Sequence, residues 1–171
     1  FIDEKDNLPY LFKNFKDNKI SDTQLINKLI ENEEESIESL LKKIINNIDR
    51  AYNFIILINN TIYAIKDRFN TRPLCIGQNN EGYCIVSETC ALYKYNFLRE
   101  VEPGEIVKIN SSGISTIYNS TNKILSSCLF EYIYFLHPTT SINDNYLSNM
   151  DIFTFRYNTG ISLADNDLNN N

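Results

Sequence analysis

The sequence predicts an α+β domain in which helices cover a largely antiparallel sheet, and three observations carry that expectation. Residues 37–48 repeat their apolar side chains at helical spacing, the period shortens to that of strands from 54 onward, and short turn clusters separate the strands. With 171 residues and 43% hydrophobic content the chain can bury one core, so a single main domain is expected.

Taken in order, Ser21-Asp22-Thr23-Gln24 is a helix-start signature: the Ser hydroxyl accepts from the backbone three residues on while Gln24 reaches back. The helix it opens should bury Leu25, Ile26, Leu29 and Ile30. A second helix follows from Ile37, Leu40, Leu41, Ile44, Ile45 and Ile48, which share one face. Glu33, Glu34 and Glu35 precede it where the helix dipole favours negative charge. Next, 54–58 and 61–65 read as a hairpin turning at Asn59-Asn60, and the nearly unbroken apolar run of the first strand predicts cover on both its faces. Further strands are expected at 74–77, 83–87, 105–109 and 114–118, with turns at 79–82 and 111–113 and a type II turn at Pro103-Gly104. Residues 127–136 fit neither the helical nor the strand period, and both remain open. Residues 138–150 read as a polar connector.

Composition excludes several functions. A net charge of −6 with scattered Lys and Arg argues against a nucleic-acid partner. No apolar run approaches the roughly 18 to 20 residues of a membrane span. Cys75, Cys84, Cys90 and Cys128 show neither a Cys-x-x-Cys pair nor the density of a disulfide scaffold, so a reducing, cytoplasmic compartment is expected. His137 is the one histidine and has no ligand spacing around it. The chain begins at Phe1 without Met and ends in three Asn, and it reads as an interior stretch of a longer protein.

Four strings, in order, resemble one family. They are Asp67-Arg68-Phe69-Asn70-Thr71-Arg72-Pro73-Leu74, Ser87-Glu88-Thr89-Cys90-Ala91-Leu92, Arg99-Glu100-Val101-Glu102-Pro103-Gly104-Glu105 and Cys128-Leu129-Phe130-Glu131-Tyr132-Ile133-Tyr134-Phe135. Together they are similar to the glutaminase half of the amidophosphoribosyltransferases. The resemblance implies the four-layer α-β-β-α sandwich of N-terminal-nucleophile hydrolases, incomplete at its N-terminal side. It implies a partial glutaminase domain over 1–137, then a connector and the start of a phosphoribosyltransferase domain over 138–171, with Arg156-Tyr157-Asn158-Thr159-Gly160 resembling the entry into the latter. The implied activity of the whole enzyme is transfer of glutamine-derived ammonia to 5-phosphoribosyl-1-pyrophosphate, the first step of purine synthesis. Mg²⁺ in the second domain, a homo-oligomer and the two small-molecule substrates follow from the same resemblance. Other class II amidotransferases, and a degenerate protein that only binds partners, are the alternatives; the second draws on departures from the family pattern at Gln24, Arg50 and 137–140.

Candidate residues follow. Taken alone, Asp22 in the first turn of a helix serves the helix dipole. The resemblance of Ser21-Asp22-Thr23-Gln24 to the Ser-Asp-Thr-Glu motif of class II glutaminases gives Asp22 a second role, binding the α-amino group of glutamine. The family's nucleophile is an N-terminal Cys, which none of the four Cys here can be, and its Asn-Gly oxyanion donors are expected upstream of Phe1; this stretch by itself is expected to be inactive. Cys128 is either a small buried hydrophobe or, as in one branch of the family, one ligand of a [4Fe–4S] cluster completed by three later Cys. Asp67 and Arg72 are expected to brace the hairpin as an ion pair or capped turn. Ser87-Glu88 is expected to cap a short helix rather than to act chemically.

Overall fold

The computed structural model describes residues 21–32, 34–142 and 150–169. Helix α1 (Asp22–Asn32) starts as its signature predicts: Gln24 N donates to Ser21 Oγ at 3.3 Å and Ser21 N donates to Gln24 Oε1 at 3.0 Å. Helix α2 (Ile37–Asn47) is capped by Ser36, whose hydroxyl accepts from Ser39 N at 3.3 Å. The acidic run serves it differently than expected. Glu35 bonds to Ser39 Oγ at 2.6 Å and Lys43 Nζ at 2.7 Å, the acid inside the first turn is Glu38, and Glu33 lies outside the described residues.

The larger sheet has the order β1-β2-β6-β7 and is antiparallel throughout. Its members are β1 (Asn53–Ile58), β2 (Thr61–Lys66), β6 (Glu105–Asn110) and β7 (Gly113–Asn119). Asn59 and Asn60 both take positive φ, 47° and 59°, which matches the twist that a two-residue hairpin turn requires. The smaller sheet, β4-β3-β5, is built from β3 (Cys75–Asn79), β4 (Gly82–Val86) and β5 (Asn96–Glu100).

Strand alternation divides the core into two slabs. Tyr63, Ile65 and Ile106 point to one face of the larger sheet, where Leu40, Leu41, Ile44 and Ile45 of α2 and Ile26 and Leu29 of α1 close over them. Ala64, Val107 and Ile109 point to the other face and meet Leu74, Ile76 and Val101 from the smaller sheet. The order of layers is helices, larger sheet, smaller sheet. Beyond the smaller sheet a 3₁₀ turn (Thr89–Leu92) lies on Gly77, where an added Cβ would stand 2.5 Å from Leu92 Cδ2. Gly77 is the flat place that admits this turn.

Three expectations change. Strand β1 is not covered on both faces: Ile55 and Leu57 are 53% and 71% exposed, because the smaller sheet reaches β2, β6 and β7 but stops short of this edge strand. Strand β5 has no counterpart in the sequence reading, since Asn96, Phe97 and Leu98 are all exposed and it is held by backbone pairing to β3 rather than by a buried face. Within the stretch left open, 129–135 are helical, with a π turn (Glu131–Phe135) closed by Leu136 N donating to Glu131 O at 2.9 Å, and 127–128 are irregular. A bond to the fifth residue back winds more widely than an α-helix, which explains why the apolar pattern matched neither period.

Beyond the π turn, the short strands β8 (Ser141–Ile142) and β9 (Met150–Asp151) pair, and helix α3 (Ile152–Asn169) follows. Leu136 and Ile152 are buried together with Tyr132 packed on them. Arg156 fastens the helix: its Nε and Nη2 donate to the carbonyls of Tyr132 and Leu136 at 2.9 and 2.8 Å. The last carbonyls of a helical segment find few donors within it, and Arg156 brings two from outside.

Candidate functional site

Asp22 is the first helical residue of α1, as expected, but its side chain lies outside the described residues. The cap beside it is complete, so the backbone that presents Asp22 is fixed.

Asp67 forms a capped turn. Its Oδ1 accepts from Phe69 N at 2.6 Å, its Oδ2 from Tyr52 N at 3.3 Å, and its carbonyl from Gly104 N at 2.8 Å. Burial pushes its carboxyl up, and the backbone donors at Phe69, Tyr52 and Thr71 pull the other way. Gly104, at φ 74°, supplies the second position of the turn begun by Pro103 and brings its N–H to Asp67. Of the two expected partners, Asp67 braces the hairpin and the Arg72 side chain does not. Arg68 pairs with Asp49, and Arg72 reaches away to Glu131, its Nε 2.9 Å from Oε1.

Glu131 was not singled out from the sequence, and it is the most unusual group in this part of the molecule. Its side chain is 9% exposed and its Oε2 has no hydrogen-bond partner. Burial raises its pKa and the Glu88 charge adds to that, while Arg72 opposes both. It borders a cavity of ≈ 30 Å³ lined also by Asn70, Thr71, Glu100, Thr140 and Ser141. A single charge inside an otherwise apolar and aromatic string was the signal available for it.

Glu88 corrects the capping expectation. It stands before the 3₁₀ turn with extended backbone, yet its side chain makes no cap bond. Its Oε2 instead accepts from His137 N at 2.8 Å and from Thr140 Oγ1 at 2.6 Å. Next to it, Thr89 Oγ1 accepts from Ser141 N at 2.8 Å.

The cysteines divide by environment. Cys75 is buried and its thiol is pushed up to about 12, chiefly by burial; a thiol so held is a packing residue, not a nucleophile. Cys84 is raised by burial as well, and Cys90 is exposed. Cys128 is half-buried at the foot of the π segment, its carbonyl accepting from Glu131 N at 3.0 Å. Among the described residues no group of three or more His, Cys, Asp or Glu could hold a metal ion, so Cys128 offers one sulfur without companions. No helix among the described residues is long and apolar enough to cross a membrane.

No family model matches the chain. Among curated proteins it is 32% identical over 144 residues to the amidophosphoribosyltransferase of Mus musculus, which covers 72% of this chain and 27% of that protein. It is 33% identical over 147 residues to that of Bacillus subtilis, covering 84% and 30%. The chain thus spans less than a third of the length of these relatives. A solved structure described as the allosteric regulatory enzyme of purine biosynthesis matches with a TM-score of 0.73 at 30% identity, over 85% of this chain and 31% of that one. The glutamine phosphoribosylpyrophosphate amidotransferase from B. subtilis, complexed with ADP and GMP, gives 0.73 at 31% identity over 84% and 31%. The α+β layers described above are those of the glutaminase domain in these structures, of the N-terminal-nucleophile type. Over the length that it shares with them, the chain belongs to the amidophosphoribosyltransferase family.

Proposed function

We propose that this chain is the later part of the glutaminase domain of an amidophosphoribosyltransferase, and that 138–171 are the connector and the start of its phosphoribosyltransferase domain. The whole protein would transfer ammonia from glutamine to 5-phosphoribosyl-1-pyrophosphate, giving 5-phosphoribosylamine, glutamate and pyrophosphate, in the first step of purine synthesis. The observation that carries this reading is the match to both mammalian and bacterial enzymes over most of the chain, at 32% and 33% identity. An oligomeric, cytoplasmic enzyme with Mg²⁺ in its second domain is part of the same proposal.

Asp22 is assigned to the α-amino group of glutamine. A carboxylate at a helix N-terminus is favoured in its ionised form, and the ionised form pairs with an ammonium ion by charge-assisted hydrogen bonds. Cys75, Cys84, Cys90 and Cys128 are assigned no part in attack on the amide; Cys75 in particular is held as a protonated, buried thiol. Cys128 would supply one of four thiolates if the protein holds a [4Fe–4S] cluster.

In protein made from the full coding sequence, Asp22→Asn should raise KM for glutamine while ammonia-dependent synthesis stays near normal, because only the amide-supplying site loses its charge pair. Equal loss of both activities overturns the assignment. Iron content and visible absorption after anaerobic purification, with Cys128→Ser as control, decide the cluster. Iron-free, fully active protein rules it out.

A further inference from the structure

We infer that Glu88 is a positioning residue that aligns the acceptor half of the enzyme on its glutaminase half, and so determines how much of the released ammonia is captured. The inference rests on the functional reading above. Its basis is a continuous chain of contacts from the smaller sheet to helix α3. The 3₁₀ turn after Glu88 is seated on Gly77 through Leu92, so the position of Glu88 follows the sheet.

From Glu88 the chain of contacts passes to the turn 137–141. One carboxylate oxygen accepts from His137 N at 2.8 Å and Thr140 Oγ1 at 2.6 Å, while Thr89 Oγ1 takes Ser141 N at 2.8 Å. Thr140 is buried, and the turn is closed on itself by Thr140 N donating to His137 O at 2.9 Å. The same turn then holds the start of α3: Ile152 N donates to Thr140 O at 3.0 Å and Phe153 N to Pro138 O at 2.9 Å. The first N–H groups of a helix have no partners within it, so whatever accepts them sets the direction of its axis.

The residue type suits this task. A carboxylate accepts without donating, and one oxygen can hold two donors through charge-assisted bonds. Ammonia released at one site must meet its acceptor at another before it escapes, so a small error in the placement of α3 costs transfer more than it costs either half-reaction.

The test uses protein from the full coding sequence and measures phosphoribosylamine formed per glutamate formed, alongside synthesis at saturating ammonia and the thermal midpoint. Glu88→Ala should lower the product-to-glutamate ratio on the order of threefold or more while ammonia-dependent synthesis is retained. Glu88→Gln keeps an acceptor oxygen and should restore most of the ratio, and Thr89→Val should give a smaller loss of the same kind. A wild-type ratio in Glu88→Ala overturns the inference. So does a parallel loss of all activities with a lowered midpoint and an unchanged ratio, which marks a merely structural role. If the unaltered protein forms no phosphoribosylamine from glutamine or from ammonia, the functional reading itself fails and the inference falls with it.

Discussion

The helix-covered face of the larger sheet and the junction around the π turn are held together by opposite means. Under α1 and α2 the buried contacts are apolar: Leu41, Ile45, Ile65 and Ile106 are wholly buried, while the polar bonds from α2 to the sheet, Lys108 to Glu38 and Tyr118 to Asn46, lie at the more exposed rim. At the junction the buried apolar groups are few, Leu136 and Ile152, and the work falls to Glu88, Arg72, Glu131 and Arg156 bonding to each other's segments. Apolar burial is non-directional and tolerates small shifts, whereas these polar contacts hold only at one geometry. The first region is built to be stable, and the second to be placed.

The largest test of that contrast is Leu41→Ala. With the side chain fully buried it should cost about 2 to 5 kcal/mol in denaturant unfolding, through lost burial and the cavity left behind. A cost below about 1 kcal/mol would mean that the helices are not part of the cooperative core.

Arg72→Ala comes next. It leaves the buried Glu131 carboxylate without its counter-charge, and because Arg72 is 59% exposed the expected cost is about 1 to 3 kcal/mol rather than that of a fully buried pair. The pH dependence gives the sign. Burial places the folded pKa of Glu131 above its unfolded value, so its contribution to stability is fully present below the unfolded value and is lost as pH rises through the folded one. Removing Arg72 deepens that loss, so the gap between variant and parent should narrow as pH falls through the carboxylate range. A gap independent of pH would show that Arg72 acts through something other than Glu131.

Arg156→Met should cost about 1 to 2 kcal/mol, mainly through loss of its charge-assisted bonds to the carbonyls of Tyr132 and Leu136. Amide exchange should speed up at 131–136 and leave α2 protected. Uniform acceleration would merge the two regions that the contrast separates. Smallest of all, Leu57→Ser on the open face of β1 should change stability by no more than about 0.5 kcal/mol. A larger loss would show that this face is covered after all.

The first region was legible in the sequence. The spacing of Ile37 to Ile48, the Ser21–Gln24 cap and the Asn59-Asn60 turn each report a preference that acts within a few residues, and each appears in the fold as written. The candidate site was legible only in part. Asp67 was expected to brace the hairpin and does, but its partner was not Arg72, which spans instead to Glu131. Glu88 looked like a helix cap because caps are local, while its actual partners lie 49 and 52 residues away.

By itself the sequence determined the α+β class, the helices and most of the strands, the turn types and the family. Those follow from side-chain periodicity, backbone preference at Asn, Pro and Gly, and short strings of residues. Only the tertiary structure decided that β1 lies at an open edge, that the aromatic string winds into a π turn, and that one carboxylate oxygen of Glu88 accepts from both His137 and Thr140 in the turn before α3. Each depends on which segments meet across the layers, and the energy of a buried hydrogen bond or ion pair exists only once the rest of the chain has brought the partners together and excluded water around them.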